Sequence, residues 1–340
     1  MARTLLITGA AGFIGSNFTR HWRRAHPADT IVALDALTYA GALSSLDDVA
    51  SEIIFVHGDI QNEKLVTRIL REHDVTLVVN FAAESHNSYA VMDPVCFFEA
   101  NVMGPVRLLE AIRQAGKPGI RFHQISTCEI YGDMALDEPG AFTEQSPYRP
   151  RTPYNAAKAG GDHAVRAFGM TYGIPYTITN CCNNYGSHQF PEKVIPLFVT
   201  NALRGRHLPV YASSQNRREW LHVDDHCRAV EAVLLRGRPG ESYHVGSGIE
   251  VDVATLAGMI LGELGLGPEM MRTVPDRPSH DRRYLLDSGK LRGELGWAPV
   301  IDFAEGLKST ICWYQDNESW WRPLIGRSPV AEETAWHGQG

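Results

Sequence analysis

A tyrosine and a lysine four residues apart, Tyr154 and Lys158, are the pair in this sequence best suited to acid–base chemistry. We predict a helix over Tyr154–Tyr172, and on a helix this spacing places both side chains on one face. An ammonium beside a phenol stabilises the phenolate and lowers the tyrosine pKa from about 10 towards neutrality. Such a phenolate can take a hydroxyl proton while a hydride leaves the same carbon for a nicotinamide. The motif is common by chance, so its meaning depends on the rest of the chain.

Three glycines, Gly9, Gly12 and Gly15, lie between a predicted strand and a predicted helix. The first permits a tight turn, the second lets backbone N–H groups approach a pyrophosphate, and the third lets the helix pack closely on the sheet. Asp35 ends the next predicted strand, 20 residues after Gly15, where a carboxylate accepts hydrogen bonds from an adenosine ribose. Because this carboxylate repels a 2′-phosphate and no arginine immediately follows it, the sequence favours NAD over NADP.

Strands and helices alternate through the first half of the chain, beginning with the predicted strands Thr4–Thr8 and Thr30–Asp35. Helices of this length between strands require parallel pairing and crossover connections. The sequence therefore predicts an α/β fold with a doubly wound parallel sheet of the Rossmann type. Thr127 follows the predicted strand Arg121–Ser126, which places a hydroxyl at the carboxyl edge of the sheet, where open α/β folds bind their ligands.

The second half has shorter elements, because Pro191, Pro196 and Pro209 interrupt it. We therefore predict a smaller, mixed C-terminal domain that binds substrate and is partly interleaved with the first. The predicted boundaries are 1–182 for the NAD-binding domain, 183–327 for the substrate domain and 328–340 for a tail. The tail lacks apolar periodicity, so we expect it to fray.

The composition disfavours several classes of protein. The 340 residues include 32 basic and 39 acidic ones, and the net charge of −7 argues against a nucleic-acid partner. No segment approaches the roughly 18 uninterrupted apolar residues of a membrane span. The six cysteines form no CxxC pair and no basic, apolar leader precedes the first predicted strand, so we expect a cytoplasmic protein.

Together these residues resemble the extended short-chain dehydrogenase/reductase superfamily, and further segments resemble one of its branches, the dTDP-glucose 4,6-dehydratases. The likeness covers about residues 3–315. The segments that carry it are Ala-Ala-Glu-Ser-His at 82–86, Ile-Ser-Thr-Cys-Glu-Ile-Tyr-Gly-Asp at 125–133, Asn-Asn-Tyr-Gly at 183–186, Phe-Pro-Glu-Lys-Val-Ile-Pro at 190–196 and Asp-Arg-Pro-Ser-His-Asp-Arg-Arg-Tyr at 276–284.

The resemblance implies a reaction. Tyr154, assisted by Lys158 and Thr127, would deprotonate the C4 hydroxyl of dTDP-glucose as hydride passes to NAD+. The resulting 4-ketone acidifies the C5 hydrogen, which Glu129 would remove. Water is then lost from C6 and the hydride returns there. The product would be dTDP-4-keto-6-deoxy-glucose, and the cofactor would be regenerated in each turnover.

The resemblance also implies two sets of binding residues. The cofactor set is Gly9, Gly12, Phe13, Ile14, Gly15, Asp35, Asp59, Ile60, Ala82, Ala83, Tyr154 and Lys158. The nucleotide-sugar set is Ser85, His86, Asn183, Glu192, Lys193, Tyr211, Arg218, His244, Arg277, His280 and Tyr284. Within it, Lys193 and Arg218 match positions that hold the diphosphate. Tyr211 is expected to pack against the base.

Two further expectations concern partners and metals. Relatives commonly dimerise through a four-helix bundle, which predicts a homodimer built here from the helices near Pro94–Ala115 and Tyr154–Tyr172. A metal cluster from His222 and the aspartates that follow it is conceivable. However, the segment matches a metal-free stretch of the family, so we predict no metal site.

The sequence departs from the family at several positions. Cys128 replaces the aspartate that protonates the departing C6 oxygen; a thiol with a pKa of about 8.5 carries a proton at neutral pH but is a poorer donor. Asn87-Ser88-Tyr89 replaces Val-Asp-Arg after His86, and His244 replaces an asparagine. These changes leave open a 5,6-dehydratase or a C4/C5 epimerase that uses the same C4 oxidation on a different nucleotide sugar. A non-catalytic NAD-binding regulator is a third hypothesis, which the retained Tyr154 and Glu129 disfavour.

Overall fold

The computed structural model describes residues 2–330, which form twelve strands and twelve α-helices. The strands are β1 (Thr4–Thr8), β2 (Thr30–Asp35), β3 (Ile54–His57), β4 (Leu77–Asn80), β5 (Arg121–Thr127), β6 (Tyr176–Cys181), β7 (Asn183–Tyr185), β8 (Leu208–Tyr211), β9 (Arg217–His222), β10 (Ser242–Val245), β11 (Glu250–Asp252) and β12 (Met271–Val274). The helices are α1 (Phe13–Ala25), α2 (Glu63–Glu72), α3 (Asn87–Met92), α4 (Pro94–Phe98), α5 (Gly104–Ala115), α6 (Pro153–Tyr172), α7 (Val194–Leu203), α8 (Val223–Arg236), α9 (Val253–Glu263), α10 (Gly289–Leu295), α11 (Phe303–Asp316) and α12 (Glu318–Trp321). Most of the predicted tail, residues 331–340, lies outside the described residues, so its fraying stays a prediction.

The largest sheet has seven strands in the order β10-β6-β5-β4-β1-β2-β3. Every neighbouring pair in it is parallel. From β1 the chain runs outwards to β2 and β3 and then crosses to β4 on the other side of β1, so the strand order reverses between β1 and β4. This topology confirms the predicted doubly wound α/β fold. It also opens a crevice at the carboxyl ends of β1 and β4.

Helices cover both faces of this sheet, and the apolar residues of β1 show why. Leu6 packs in a cluster with side chains of α2 and α5, whereas Leu5 and Ile7 pack in another cluster with side chains of α1 and α8. Successive side chains of a strand point to opposite faces, so a continuous apolar run buries both faces. The sheet is therefore a rigid support for the loops at its carboxyl edge.

A smaller unit covers that edge. It contains a mixed three-stranded sheet in the order β11-β9-β7 and a two-stranded sheet of β8 and β12. Its own apolar core includes Phe198, Trp220 and Tyr314. The chain is interleaved, because β10 returns to the large sheet and α8 packs on α1. The division into domains at residues 182 and 327 stays a prediction.

The segment predicted as one helix near Pro94–Ala115 is divided in the structure. A π-helical turn over Glu99–Met103 separates α4 from α5. Pro105 has no N–H to donate to the carbonyl of Asn101, and its ring would clash with that carbonyl in a regular helix. A wider turn relieves the clash. The Asn101 side chain then holds the loop after β4, because its Nδ2 donates to the Glu84 carbonyl at 2.9 Å.

Across residues 2–330, none of the helices is both long enough and apolar enough to cross a lipid bilayer.

Candidate active site

The glycine turn between β1 and α1 leaves the first turn of α1 open to a ligand. Gly9 has φ +64°, which favours glycine, and a Cβ there would lie 2.6 Å from the Ala82 backbone nitrogen. A Cβ at Gly15 would lie 2.1 Å from the Gly9 carbonyl oxygen. Gly12 is the N-cap residue of α1 and brings no side-chain cap. The first N–H groups of α1 therefore lack an intrahelical acceptor and form a site for an anion.

Asp35, the last residue of β2, lies beside this glycine turn and binds its backbone. Its Oδ2 accepts a hydrogen bond from the Ala11 backbone at 2.8 Å, and its Oδ1 accepts one from Leu37 at 2.7 Å. Burial raises the pKa of this carboxyl group, and the two backbone hydrogen bonds oppose that rise. Each oxygen retains a lone pair that a ribose hydroxyl can use.

Two adjoining cavities open at the carboxyl edge of the sheet, with volumes of about 280 and 270 Å³. They share Gly12, Ala40, Phe81 and Ala83, so they are two parts of one cleft. From the predicted cofactor set the first is lined by Gly9, Gly12, Asp35, Asp59, Ile60, Ala82 and Ala83. The second is lined by Gly12, Phe13, Ile14, Gly15, Ala83, Tyr154 and Lys158. The structure thus brings the whole predicted cofactor set to one cleft.

The second cavity also gathers most of the predicted reacting groups. Its walls include Thr127 and Glu129 beside Tyr154 and Lys158. From the predicted nucleotide-sugar set it takes Ser85, Asn183, Glu192 and Lys193.

The N-terminal end of α6 positions Tyr154 and Lys158. Thr152 caps the helix by accepting a hydrogen bond from the Asn155 backbone at 3.2 Å, and Pro153 begins its first turn. The Lys158 ammonium donates to the Ile125 carbonyl on β5 at 2.6 Å. One further turn along α6 lies the buried carboxylate of Asp162, which raises the pKa of Lys158 in opposition to burial.

The pKa of Tyr154 moves in the direction opposite to the sequence prediction. Burial raises it well above 10, and the neighbouring carboxylate of Glu129 raises it further, while a hydrogen bond with the Thr127 side chain lowers it. Burial likewise lowers the pKa of Lys158. The expected lowering of the tyrosine pKa is therefore wrong for the protein alone, because desolvation of the phenolate outweighs the hydrogen bond with Thr127.

Glu129 is held at both its backbone and its side chain. It belongs to a 3-10 helix over Cys128–Tyr131, and its backbone N–H donates to Oγ1 of Thr127, the N-cap residue, at 3.3 Å. Its carboxylate Oε2 accepts a hydrogen bond from Nδ2 of Asn87 at 2.9 Å. The carboxylate therefore has a defined orientation at the wall of the cavity.

Cys128 is almost completely buried in an apolar cluster beside the cavity. Burial raises the pKa of its thiol well above 9, and the charge of Glu129 adds to this rise. Ionisation of the thiol would in turn raise the pKa of Tyr154. Cys128 therefore interacts electrostatically with both Glu129 and Tyr154. The thiol carries its proton at neutral pH. Its predicted role as an acid stays a prediction.

A cluster of cations and neutral histidines lies beyond Glu129. Burial and the charges of Lys193 and Arg277 lower the pKa of His86 to about 3. Burial and the charges of Arg277 and Arg218 lower that of His280 to about 3 as well. The Arg277 Nη1 is buried and makes no hydrogen bond to any of residues 2–330. This arrangement suits an anionic group with several oxygens.

Three further residues of the predicted nucleotide-sugar set, Arg218, Tyr284 and Tyr211, pack around this cluster, although none of them lines the two cavities. The Arg218 guanidinium lies 4.8 Å from the centre of the Tyr284 ring and donates to the Asp281 carbonyl at 2.8 Å. The Tyr211 ring packs against His280, with their centres 5.1 Å apart.

The structure does not bring His244 to the cleft. It lies on β10 with its Nε2 2.7 Å from the Tyr131 hydroxyl and its Nδ1 3.1 Å from the Phe142 carbonyl. Its ring is fully buried. Both nitrogens are thus already bonded to the protein, which leaves its predicted contact with substrate without support from the geometry.

Two residues of the site were missed by reasoning from the sequence. The first is Asp162. It lies four residues after Lys158 on the predicted helix, and this spacing indicates that the two side chains interact. Asn87 was noted only as a departure from the family. Nothing in the sequence indicates its hydrogen bond to Glu129, because that contact depends on how α3 packs against the segment after β5. Among residues 2–330, no group of three or more His, Cys, Asp or Glu side chains could hold a metal ion.

Three features of this structure define the extended short-chain dehydrogenases/reductases. They are a parallel sheet with a glycine turn at its carboxyl edge, a Tyr–Lys pair one helical turn apart, and a smaller unit that covers this edge. The chain belongs to the GDP-mannose 4,6 dehydratase family, whose model matches residues 6–310. The match confirms the resemblance inferred from the sequence.

The relatives include dehydratases and, at lower identity, epimerases. A dTDP-glucose 4,6-dehydratase from Mycobacterium tuberculosis is 49% identical over 321 residues, which are 94% of this chain and 96% of the relative. The crystal structure of a dTDP-glucose 4,6-dehydratase from Streptomyces venezuelae, with NAD bound, has a TM-score of 0.91 at 47% identity and covers 94% of this chain and 99% of that one. A UDP-glucose 4-epimerase from Thermus thermophilus in complex with NAD has a TM-score of 0.85 at 30% identity and covers 92% of this chain and 99% of that one.

Proposed function

We propose that this protein is an NAD-dependent hydro-lyase that converts dTDP-glucose to dTDP-4-keto-6-deoxy-glucose. The observation that carries the proposal is one cavity wall that holds Thr127, Glu129, Tyr154 and Lys158 and continues into the glycine turn. The similarity to dTDP-glucose 4,6-dehydratases over almost the whole chain supports the choice of substrate.

The cleft fits NAD. The uncapped first turn of α1 offers N–H groups to a pyrophosphate, and Gly12 at its N-cap brings no side chain into that approach. Asp35 would bind the adenosine ribose, with Asp59, Ile60, Ala82 and Ala83 around it. When bound, NAD supplies a reversible acceptor for the C4 hydride and a positive charge that opposes the rise of the Tyr154 pKa.

Each reacting side chain would handle one proton. Tyr154 would accept the proton of the C4 hydroxyl, and the hydrogen bond from Thr127 would stabilise the phenolate. The cationic Lys158 would stabilise the same phenolate from one helical turn away. Glu129 would remove the C5 proton, which is acidic only while C4 is a ketone. Separate residues thus serve the two steps.

The cationic end of the cleft would hold the nucleotide. Lys193, Arg218 and Arg277 would neutralise the diphosphate, and the neutral rings of His86 and His280 would donate hydrogen bonds to it. Tyr211 would pack against the base. Ser85, Asn183, Glu192 and Tyr284 would complete the pocket around the sugar.

Incubation of the purified protein with dTDP-glucose in D2O, followed by NMR of the product, tests the function. We expect a 4-keto-6-deoxy sugar with solvent deuterium at C5. UDP-glucose and UDP-GlcNAc, run in parallel, test the choice of nucleotide sugar. A C5=C6 olefin or an intact C6 hydroxyl would instead support the 5,6-dehydratase or the epimerase. A failure of every nucleotide sugar to reduce bound NAD would support a non-catalytic regulator.

Cys128 is proposed as the acid that protonates the departing C6 oxygen. We expect Cys128→Ala to slow product formation about tenfold or more, because an alanine has no proton to give. Cys128→Asp is expected to retain or raise the rate. The measurement is the steady-state rate of product formation, with Cys227→Ala as a control that removes another buried thiol. An unchanged rate in Cys128→Ala would remove this residue from the mechanism.

We propose a homodimer that forms through α4, α5 and α6. The segment 92–103 carries four apolar side chains whose exposed fractions are between 41 and 63%: Met92, Val95, Phe98 and Met103. A patch of this kind beside a long helix suits a helical interface. A cytoplasmic location likewise stays a proposal.

Phe98→Asp is expected to weaken the dimer about 100-fold or more, because a two-fold interface would bury the new charge twice. The measurement is molar mass by light scattering over a dilution series. Val300→Asp, which places the same charge at an exposed apolar residue on the other unit, serves as the control. A variant that keeps the mass of the unaltered protein at every dilution would contradict this interface.

A further inference from the structure

Asn87 links Glu129 to the N-terminal end of α6, the helix that carries Tyr154. It is the first residue of α3, whose start is fixed by His86, because Nδ1 of that ring accepts a hydrogen bond from the Tyr89 backbone at 3.2 Å. From this position Nδ2 of Asn87 donates to Oε2 of Glu129 at 2.9 Å. The contact joins α3 to the 3-10 helix that carries the proposed base.

The orientation of the Asn87 amide follows from its second partner. Oγ1 of Thr152 accepts a hydrogen bond from the Asn155 backbone, so its own hydrogen is free to be donated. That hydroxyl lies 3.0 Å from Oδ1 of Asn87 and donates to it. Because the amide oxygen is thereby engaged, the NH2 group faces Glu129. The chain of hydrogen bonds runs from the cap of α6, the helix that carries Tyr154, to the carboxylate of Glu129.

We infer that Asn87 is a positioning residue that orients Glu129 for removal of the C5 proton; the inference rests on the proposed function. A glutamate side chain has several rotatable bonds, and a base that must reach one hydrogen of a bound sugar gains from having them fixed. Asn87 engages only one carboxylate oxygen, which leaves the other for the proton. Within residues 2–330 no hydrogen bond joins it to Tyr154, so we expect its main effect on the C5 step.

The test is Asn87→Leu, which keeps the size of the side chain and removes the amide. With dTDP-glucose in D2O we expect deuterium incorporation at C5 and product formation to slow about tenfold or more. The KM should stay within about threefold, because binding of the nucleotide is unaffected. Reduced nicotinamide should accumulate during turnover, since its formation continues while the next step is slow.

Three companion variants separate positioning from folding. Asn87→Asp keeps an oxygen for Thr152 but turns a carboxylate towards Glu129, so we expect at least the loss seen for leucine. Thr152→Ser retains the hydroxyl that donates to Asn87, so the variant should keep nearly the normal rate of C5 exchange. Ser88→Ala changes the next residue of α3 and should change neither exchange nor turnover. Thermal unfolding of each variant checks that the fold persists.

The outcomes are distinguishable. Normal C5 exchange in Asn87→Leu overturns the inference, and so does an equal loss of C4 oxidation and C5 exchange, which indicates a general structural role. If the unaltered protein neither reduces NAD with dTDP-glucose nor forms product, the proposed function is wrong and the inference falls with it. Slow C5 exchange with rapid reduction of NAD supports both.

Discussion

Tyr154→Phe should lower the rate of product formation about 10³-fold or more and prevent any reduction of NAD by dTDP-glucose. The ring would remain in place, because its edge-to-face packing against Phe97, with centres 6.2 Å apart, involves no hydroxyl. What is lost is the only oxygen on α6 that is proposed to take the C4 proton. Without that proton transfer, the hydride cannot leave C4 and no later step can begin.

The decisive measurement is the absorbance of reduced nicotinamide after rapid mixing with dTDP-glucose. The dissociation constant of NAD, measured by the quenching of protein fluorescence, should change by no more than about threefold. One hydroxyl is a small part of the cofactor contacts. Tyr172→Phe makes the same substitution at an exposed position on the same helix and should leave every rate unchanged. Persistent turnover in Tyr154→Phe would contradict the proposed mechanism at its first step.

Glu129→Gln should have a different signature. We expect product formation to fall about 10²- to 10⁴-fold, the range typical of a lost general base. A glutamine amide oxygen can still accept the hydrogen bond of Asn87, so the side chain should keep its place. C4 oxidation should continue because Tyr154, Lys158 and Thr127 are untouched.

The variant should therefore accumulate reduced nicotinamide and incorporate almost no deuterium at C5. Glu138→Gln, in the loop that follows the same 3-10 helix, is the control and should behave as the unaltered protein does. Deuterium incorporation at the normal rate in Glu129→Gln would assign the C5 proton to another base. In that case the role inferred for Asn87 would fall as well.

Where the structure agrees with the sequence analysis, the agreement depends on short stretches of chain. Residues 4–8 were predicted as a strand from their apolar run, and β1 has those bounds. The glycine turn follows from the spacing of the glycines together with the strand before them and Asp35 after them, which all lie within one strand–turn–helix–strand unit. Tyr154 and Lys158 face the same cavity because helical geometry puts residues four apart on one face.

The parts that were wrong or missed depend on packing between distant segments. The direction of the Tyr154 pKa follows from burial, which is a property of everything packed around the phenol. The π turn before α5 is an exception, because its cause, Pro105 four residues after Asn101, is visible in the sequence. His244 was expected near the substrate, but its strand occupies the far edge of the large sheet, where Tyr131 and Phe142 engage its ring.

The amino-acid sequence by itself determined the doubly wound fold, the NAD turn and the identity of the tyrosine, lysine and glutamate proposed to react. The fold, the turn and the Tyr–Lys pair rest on periodicity and on spacings within single elements, which do not depend on later packing, whereas the glutamate rests on the resemblance to the dTDP-glucose 4,6-dehydratases. Only the tertiary structure decided how those groups are held: the hydrogen bond from Asn87 to Glu129, and the burial that raises the pKa values of Tyr154 and Cys128. Hydrogen bonds and desolvation arise between segments far apart in the chain, so no local pattern encodes them.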